Sequence, residues 1–104
     1  MNKLEVILKA CDDKLAKDVM TIPIDSKLAI ADHFVIATGN TRNQTQAIAD
    51  EIENSLHELG FEALGKEGYR EGNWILLDFG DIIVHIFTRE DREYYDLERL
   101  WQNK

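Results

Sequence analysis

The sequence predicts an α/β fold, a mixed β-sheet of about five strands with helices packed on it, in the order α-β-β-α-β-β-β-α. Three observations carry this reading. Segments near the start, middle and end of the chain repeat apolar residues at helical spacing. Shorter runs between them alternate apolar and polar residues or are continuously apolar, as strands are. Glycines and short polar stretches separate the two patterns. At 104 residues the chain has the length of one domain, so residues 1–104 are expected to fold as a single unit.

The first helical stripe is Leu4, Ile7, Leu8, Cys11 and Leu15. Over residues 18–24, Val19, Thr21 and Pro23 alternate with Met20, Ile22 and Ile24, which reads as a strand. Pro23 has no N–H to give a ladder and places that strand at an edge. Residues 33–38 form an almost continuous apolar run, the pattern of a strand covered on both faces. Gly39, Asn40 and Thr41 break the run, and Asn40 or Thr41 offers an N-cap for a second helix reaching Leu59. Its stripe is Ile48, Ile52, Leu56 and Leu59, with Ala47 and Ala49 beside it, and Gly60 stands where a helix ends. Residues 61–64 read as a short strand and the charged, glycine-rich 65–72 as an exposed loop. Residues 73–79 and 82–87 are strong strands joined by Gly80-Asp81, a two-residue hairpin turn. A polar turn from Arg89 then leads to a last short helix whose apolar side is Leu97, Leu100 and Trp101.

The hairpin fixes a register. If Gly80-Asp81 is the turn, Trp74 faces Phe87, Leu76 faces His85 and Asp78 faces Ile83. Alternation then sorts the side chains. Ile75, Leu77, Phe79, Ile82, Val84 and Ile86 make a wholly apolar face, the expected core. Trp74, Leu76, Asp78, Ile83, His85 and Phe87 make the other face, also mostly apolar but carrying a carboxylate and an imidazole. A solvated sheet face is normally polar. Either a helix covers this second face, with Asp78 and His85 satisfying each other, or part of it is an open partner patch anchored by aromatic residues. Tyr94, Tyr95 and Trp101 add a second aromatic group near the end of the chain.

Charge narrows the choice of partner. Twenty acidic and twelve basic residues give a net charge of −8. Phosphate backbones repel such a domain, so nucleic acid is not expected as the main contact. A basic protein is its natural complement, although the same charge also serves solubility. No apolar run approaches the ~20 residues of a membrane span, and the start of the chain has no signal-peptide core, so a cytoplasmic protein away from membranes is expected.

The enzymatic patterns in the chain are incomplete. Asp78-Phe79-Gly80 matches the magnesium tripeptide of kinases, but the other kinase elements are missing. The segment Ala37-Thr38-Gly39-Asn40, between strand and helix, lacks the spaced glycines or lysine of a nucleotide loop. Asp78 has no paired carboxylate for two-metal chemistry, and no Ser or Cys is placed to complete a triad with His85. His33, His57 and His85 are widely spaced, and Cys11 stands alone. No catalytic residue, metal site or cofactor is therefore expected, and a nucleotide-binding or transferase domain using the Gly39 loop stays as the alternative.

Three blocks together carry a resemblance. They are A-D-H-F-V-I-A-T-G-N-T-R over 31–42, G-N-W-I-L-L-D-F-G-D-I-I-V-H-I-F over 72–87 and R-E-Y-Y-D-L-E-R-L-W over 92–101. In this order they resemble the ribosomal silencing factor family, also called Iojap-like. The resemblance implies a fold related to nucleotidyltransferases without their catalytic carboxylates. It implies binding to protein fourteen of the large ribosomal subunit, on the face that meets the small subunit. Subunit joining is then blocked sterically and translation falls when nutrients are scarce. It further implies a homodimer off the ribosome. The positions matching the family's partner surface are Trp74, Asp78, His85, Tyr94, Tyr95 and Leu97, with Leu76 beside them on the same hairpin face. Phe79 departs from the Tyr common in the family, at a position expected in the core.

Overall fold

A capping box starts the first helix: the Asn2 side chain accepts from the Glu5 N–H at 2.8 Å, and the Asn2 N–H donates to the Glu5 carboxylate at 3.0 Å. In the computed structural model, which describes residues 2–24 and 31–102, this helix is α1 (Lys3–Asp13). It is followed by β1 (Lys17–Pro23), β2 (His33–Gly39), α2 (Arg42–Glu58), β3 (Gly65–Glu67), β4 (Trp74–Asp78), β5 (Ile82–Thr88), α3 (Arg89–Tyr95) and α4 (Leu97–Gln102). Thr41 caps α2 by accepting from the Gln44 N–H at 3.1 Å.

The five strands form one mixed sheet in the order β1-β2-β5-β4-β3. Only β2 and β5 run parallel, and the other neighbours are antiparallel. β1 lies at an edge, as Pro23 requires. The hairpin register is the one the turn dictates: Trp74 opposite Phe87, Leu76 opposite His85, Asp78 opposite Ile83. Gly80 has φ of +89°, which an L side chain adopts only under strain.

One sheet face packs on α1 and α2. Ile7, Cys11, Ile48, Ile52 and Leu56 meet Val35, Ala37, Ile75, Leu77, Val84 and Ile86, all fully buried. This is the core face the alternation predicts. On the other face Ile22, Ile24, Phe34, Ile36 and Phe87 form a second buried cluster, bordered by the half-buried Met20, Trp74, Ile83 and Leu97. Strand β2 therefore has both faces covered, which explains its unbroken apolar run.

Several expectations need correction. Leu15 lies beyond α1 with φ of +59° and is 70% exposed, because the chain has already turned toward β1. Leu59, the C-cap of α2, is half-exposed at the point where the helix leaves the sheet. Residues 61–64 are not a strand: Phe61 and Leu64 are exposed, and the ladder with β4 starts at Gly65, opposite Asp78, with the Leu64 N–H donating to the Asp78 carbonyl at 2.7 Å just before it. Part of the expected 65–72 loop is thus β3. Gly68 follows it at φ of +76°, where an added Cβ would lie 2.0 Å from the Trp74 carbonyl oxygen. The polar stretch after Arg89 is the helix α3, so the order gains one helix. Leu100 is exposed, and the side chain of Trp101 lies outside the described residues.

Candidate functional site

Sheet alternation turns Trp74, Leu76 and Asp78 of β4 and His85 of β5 to the face opposite the α1–α2 core. Trp74 is the centre of an aromatic group there. Its half-buried ring lies 4.5 Å from Tyr95, 4.9 Å from Phe87 and 6.0 Å from His85, centroid to centroid. Its indole Nε1–H donates to His85 Nδ1 at 3.1 Å.

That hydrogen bond defines the state of His85. A ring nitrogen that accepts from an indole carries no proton, so the imidazole is neutral with its hydrogen on Nε2. His85 is only 5% exposed and its ring packs 4.9 Å from Phe34. Burial removes the water that would stabilise an imidazolium and pushes the pKa from 6.5 down to about 4. His85 is thus a neutral packing and hydrogen-bonding group at physiological pH, and the geometry gives it no role as a base near pH 7.

Asp78 does not pair with His85, as one sequence reading supposed. Its Oδ1 accepts from the Gly80 N–H at 2.8 Å and closes the hairpin turn. Its place opposite Ile83, four residues along β4 from Trp74, puts it about 13 Å from that residue at strand rise. Leu76 stands between them, half-buried.

The remaining candidates come from α3 and α4. Tyr95 packs its ring at a tilt of 48° against Trp74 and keeps 47% of its surface exposed. Tyr94 is 80% exposed and meets Tyr95 edge-on at 5.0 Å. Leu97 packs on the outer cluster. The structure therefore joins Trp74, His85, Tyr95 and Leu97, places Leu76 and Asp78 along the same strand face, and leaves Tyr94 at the rim. On this face α3 and α4 cover one portion, and Trp74, Leu76, Tyr94 and Tyr95 keep part of their surface exposed.

Two residues that shape the site escaped sequence reasoning. Arg92 is 8% exposed; its guanidinium donates to Thr38 Oγ1 at 2.8 Å, to the Asp18 carbonyl and to Glu98 at 3.1 Å. It pins α3 and the start of α4 to β1 and β2. The available signal was Thr38, a hydroxyl in an apolar buried strand that needs a partner. Phe34, packed on His85, was indistinguishable from its apolar neighbours in the sequence.

Among the described residues no group of three or more His, Cys, Asp or Glu gathers as a metal site. Cys11 is buried in the core, which raises its thiol to about 12 and keeps it protonated. A shallow polar depression of about 480 Å³ lies at the Gly39 end of the sheet, lined by Asn40, Thr41, Arg42, Asn73, Thr88 and Arg89 among others. The protein itself engages the donors of that loop. The Asn40 N–H donates to the Gln44 side chain at 2.7 Å, and the Gln44 N–H is held by Thr41. Among the described residues no helix is long and apolar enough to cross a membrane.

Comparison with known proteins gives a consistent result. The family model described as "Ribosomal silencing factor during starvation" matches residues 1–104. The ribosomal silencing factor RsfS of Bacillus subtilis is 42% identical over 98 residues, covering 94% of this chain and 83% of that protein. The factor of the same name from Haemophilus influenzae is 36% identical, covering 97% of this chain and 99% of its own. A crystal structure of a Chromobacterium violaceum protein superposes with a TM-score of 0.93 at 30% identity, covering 98% of this chain and 85% of that one.

Proposed function

The chain belongs to the ribosomal silencing factor family, and from that premise we propose that it docks on protein fourteen of the large ribosomal subunit and sterically blocks joining of the small subunit. Translation falls as a consequence when nutrients are limiting. The action needs no cofactor and no catalysis, takes place in the cytoplasm, and uses residues 1–104 as one domain. Free of the ribosome, the chain pairs with a second copy.

The observation that carries this reading is the aromatic surface of Trp74 and Tyr95, with Leu76 and Tyr94 beside it. It remains accessible on a chain of net charge −8. Large amphipathic rings supply contact area at low entropic cost and dominate interface hot spots. The acidic field favours a basic ribosomal protein over phosphate as the first contact. Leu97 borders the anchor, Asp78 lies farther along the same strand face beyond Leu76, and His85 fixes the Trp74 ring through its hydrogen bond.

The experiment is capture of purified large and small subunits by the immobilised protein, with isolated protein fourteen as competitor. Retention of the large subunit alone, released by protein fourteen, is expected. Retention of neither subunit, or of the large subunit without competition, refutes the assignment. Calorimetry with nucleotides and magnesium is expected to show no heat of binding. A clear isotherm would favour a nucleotide-binding domain at the Gly39 loop instead.

A further inference from the structure

The cations of this acidic chain are unevenly used. Lys3, Lys9, Lys66, Arg89, Arg92 and Arg99 each contact a carboxylate. Among the described residues, Lys14, Lys17, Arg42 and Arg70 are the lysines and arginines without an acidic partner, and all four are exposed.

The segments that carry these four all meet the start of α2 or the adjoining end of β2. The Gln44 side chain donates to the carbonyls of Lys14 and Leu15 at 3.2 and 3.0 Å, holding the α1–β1 turn against the start of α2. Lys17 stands opposite Thr38, one residue before β2 ends. Arg42 is the first residue of α2, and a Cβ at Gly72 would lie 3.0 Å from its own Cβ. Gln46, on the far side of that turn from Gln44, donates to the carbonyls of Tyr69 and Arg70. Three separate segments thus bring their unpaired cations to the end of the sheet where β2 finishes, around the start of α2. Glu71, Glu90 and Asp91 border it, Asp91 being held by Asn73 and the nearby Asp18 by Arg89.

Folding does not account for Arg42. The first turn of a helix favours carboxylates and disfavours cations, and α2 has no acid there. This end of the sheet also runs directly into the proposed docking surface, since Gly72 and Asn73 lead from Arg42 to Trp74. A chain with net charge −8 is repelled by the phosphate that surrounds any protein on a ribosomal subunit. Only a side that carries unpaired cations can approach it.

We propose that Lys14, Lys17, Arg42 and Arg70 form an edge that contacts RNA phosphates of the large subunit while the Trp74 surface is docked on the neighbouring ribosomal protein. This rests on the docking reading above. The edge orients the domain and adds a salt-sensitive contact without base specificity.

The test compares the wild type with the K14A/K17A/R42A/R70A variant against two targets, isolated protein fourteen and intact large subunits, across a salt series. The variant should melt cooperatively, since the four side chains are exposed and unpaired. Binding to intact subunits should fall at least about tenfold, and its dependence on log salt should become shallower by about three, at roughly 0.7–0.9 per phosphate lost. Binding to protein fourteen should not change. Unchanged binding to subunits overturns the proposal, and so does an equal loss on both targets, which would make the edge part of a protein contact. If the wild type binds subunits but not protein fourteen, the docking reading fails, while the variant's loss on subunits still reads the edge.

Discussion

Protonating His85 should destabilise the fold by an amount the structure sets. Its imidazole is 5% exposed, accepts from Trp74 at Nδ1 and packs on Phe34, which holds its pKa near 4 against 6.5 for a free histidine. The folded pKa lies below the unfolded one, so between these values the unfolded chain binds the proton and the folded chain does not. The contribution to stability is complete above pH 6.5 and is lost as pH falls toward about 4. At pH 5 protonation favours the unfolded state by about thirtyfold, or about 2 kcal/mol. The assay is urea unfolding at pH 7 and pH 5 for the wild type and for His85→Gln, whose amide does not titrate. The difference between the two proteins in their pH dependence isolates residue 85 from the many carboxylates. Wild-type stability should fall by about 2 kcal/mol more than that of the variant. Parallel pH dependences would refute the burial argument and return His85 to the set of residues free to titrate.

Leu77→Ala should cost about 2–5 kcal/mol, read by chemical denaturation, because Leu77 is fully buried against the α1–α2 layer. A cost below about 0.5 kcal/mol would contradict the assignment of that hairpin face to the core. Cys11 should resist a water-soluble thiol reagent in native buffer and react promptly in denaturant, since its thiol is buried and protonated; immediate native reaction would place it at the surface. Association with protein fourteen should slow as ionic strength rises while dissociation changes less, the mark of opposite fields steering encounter. A salt-independent association rate would remove the electrostatic part of the docking argument.

The legible parts of this fold were those specified by local pattern. The Gly80-Asp81 turn gave the register of β4 on β5, and with it the core face, because side-chain alternation has no freedom once a two-residue turn is placed. Pro23 gave the edge position of β1. What stayed hidden depends on partners distant in sequence. β3 is defined by its ladder with β4 rather than by its own letters, Gly65-Lys66-Glu67, while the apolar Phe61 and Leu64 beside it remain exposed. Arg92 reads as one more charge in a solvated helix until Thr38 is seen beneath it. The same holds at the candidate site. Its aromatic residues were visible as a face of the hairpin, but the Trp74–His85 hydrogen bond joins adjacent strands diagonally, and the turn takes Asp78 instead.

If the Trp74 surface stops subunit joining, light scattering on mixing purified subunits measures that event itself. Wild-type protein added to the large subunit first should suppress the scattering rise with increasing dose. Trp74→Ala should need about thirtyfold more protein for the same suppression, the ratio that corresponds to the ~2 kcal/mol typical of a lost aromatic anchor. Because Trp74 is half-buried on Phe87 and Tyr95, the variant is compared with Leu77→Ala, a residue of the opposite face chosen as a stability control. Trp74→Ala should lose suppression while keeping a cooperative melt, and Leu77→Ala should retain suppression at temperatures where it is folded. A folded Trp74→Ala that blocks joining as well as the wild type would contradict the docking reading.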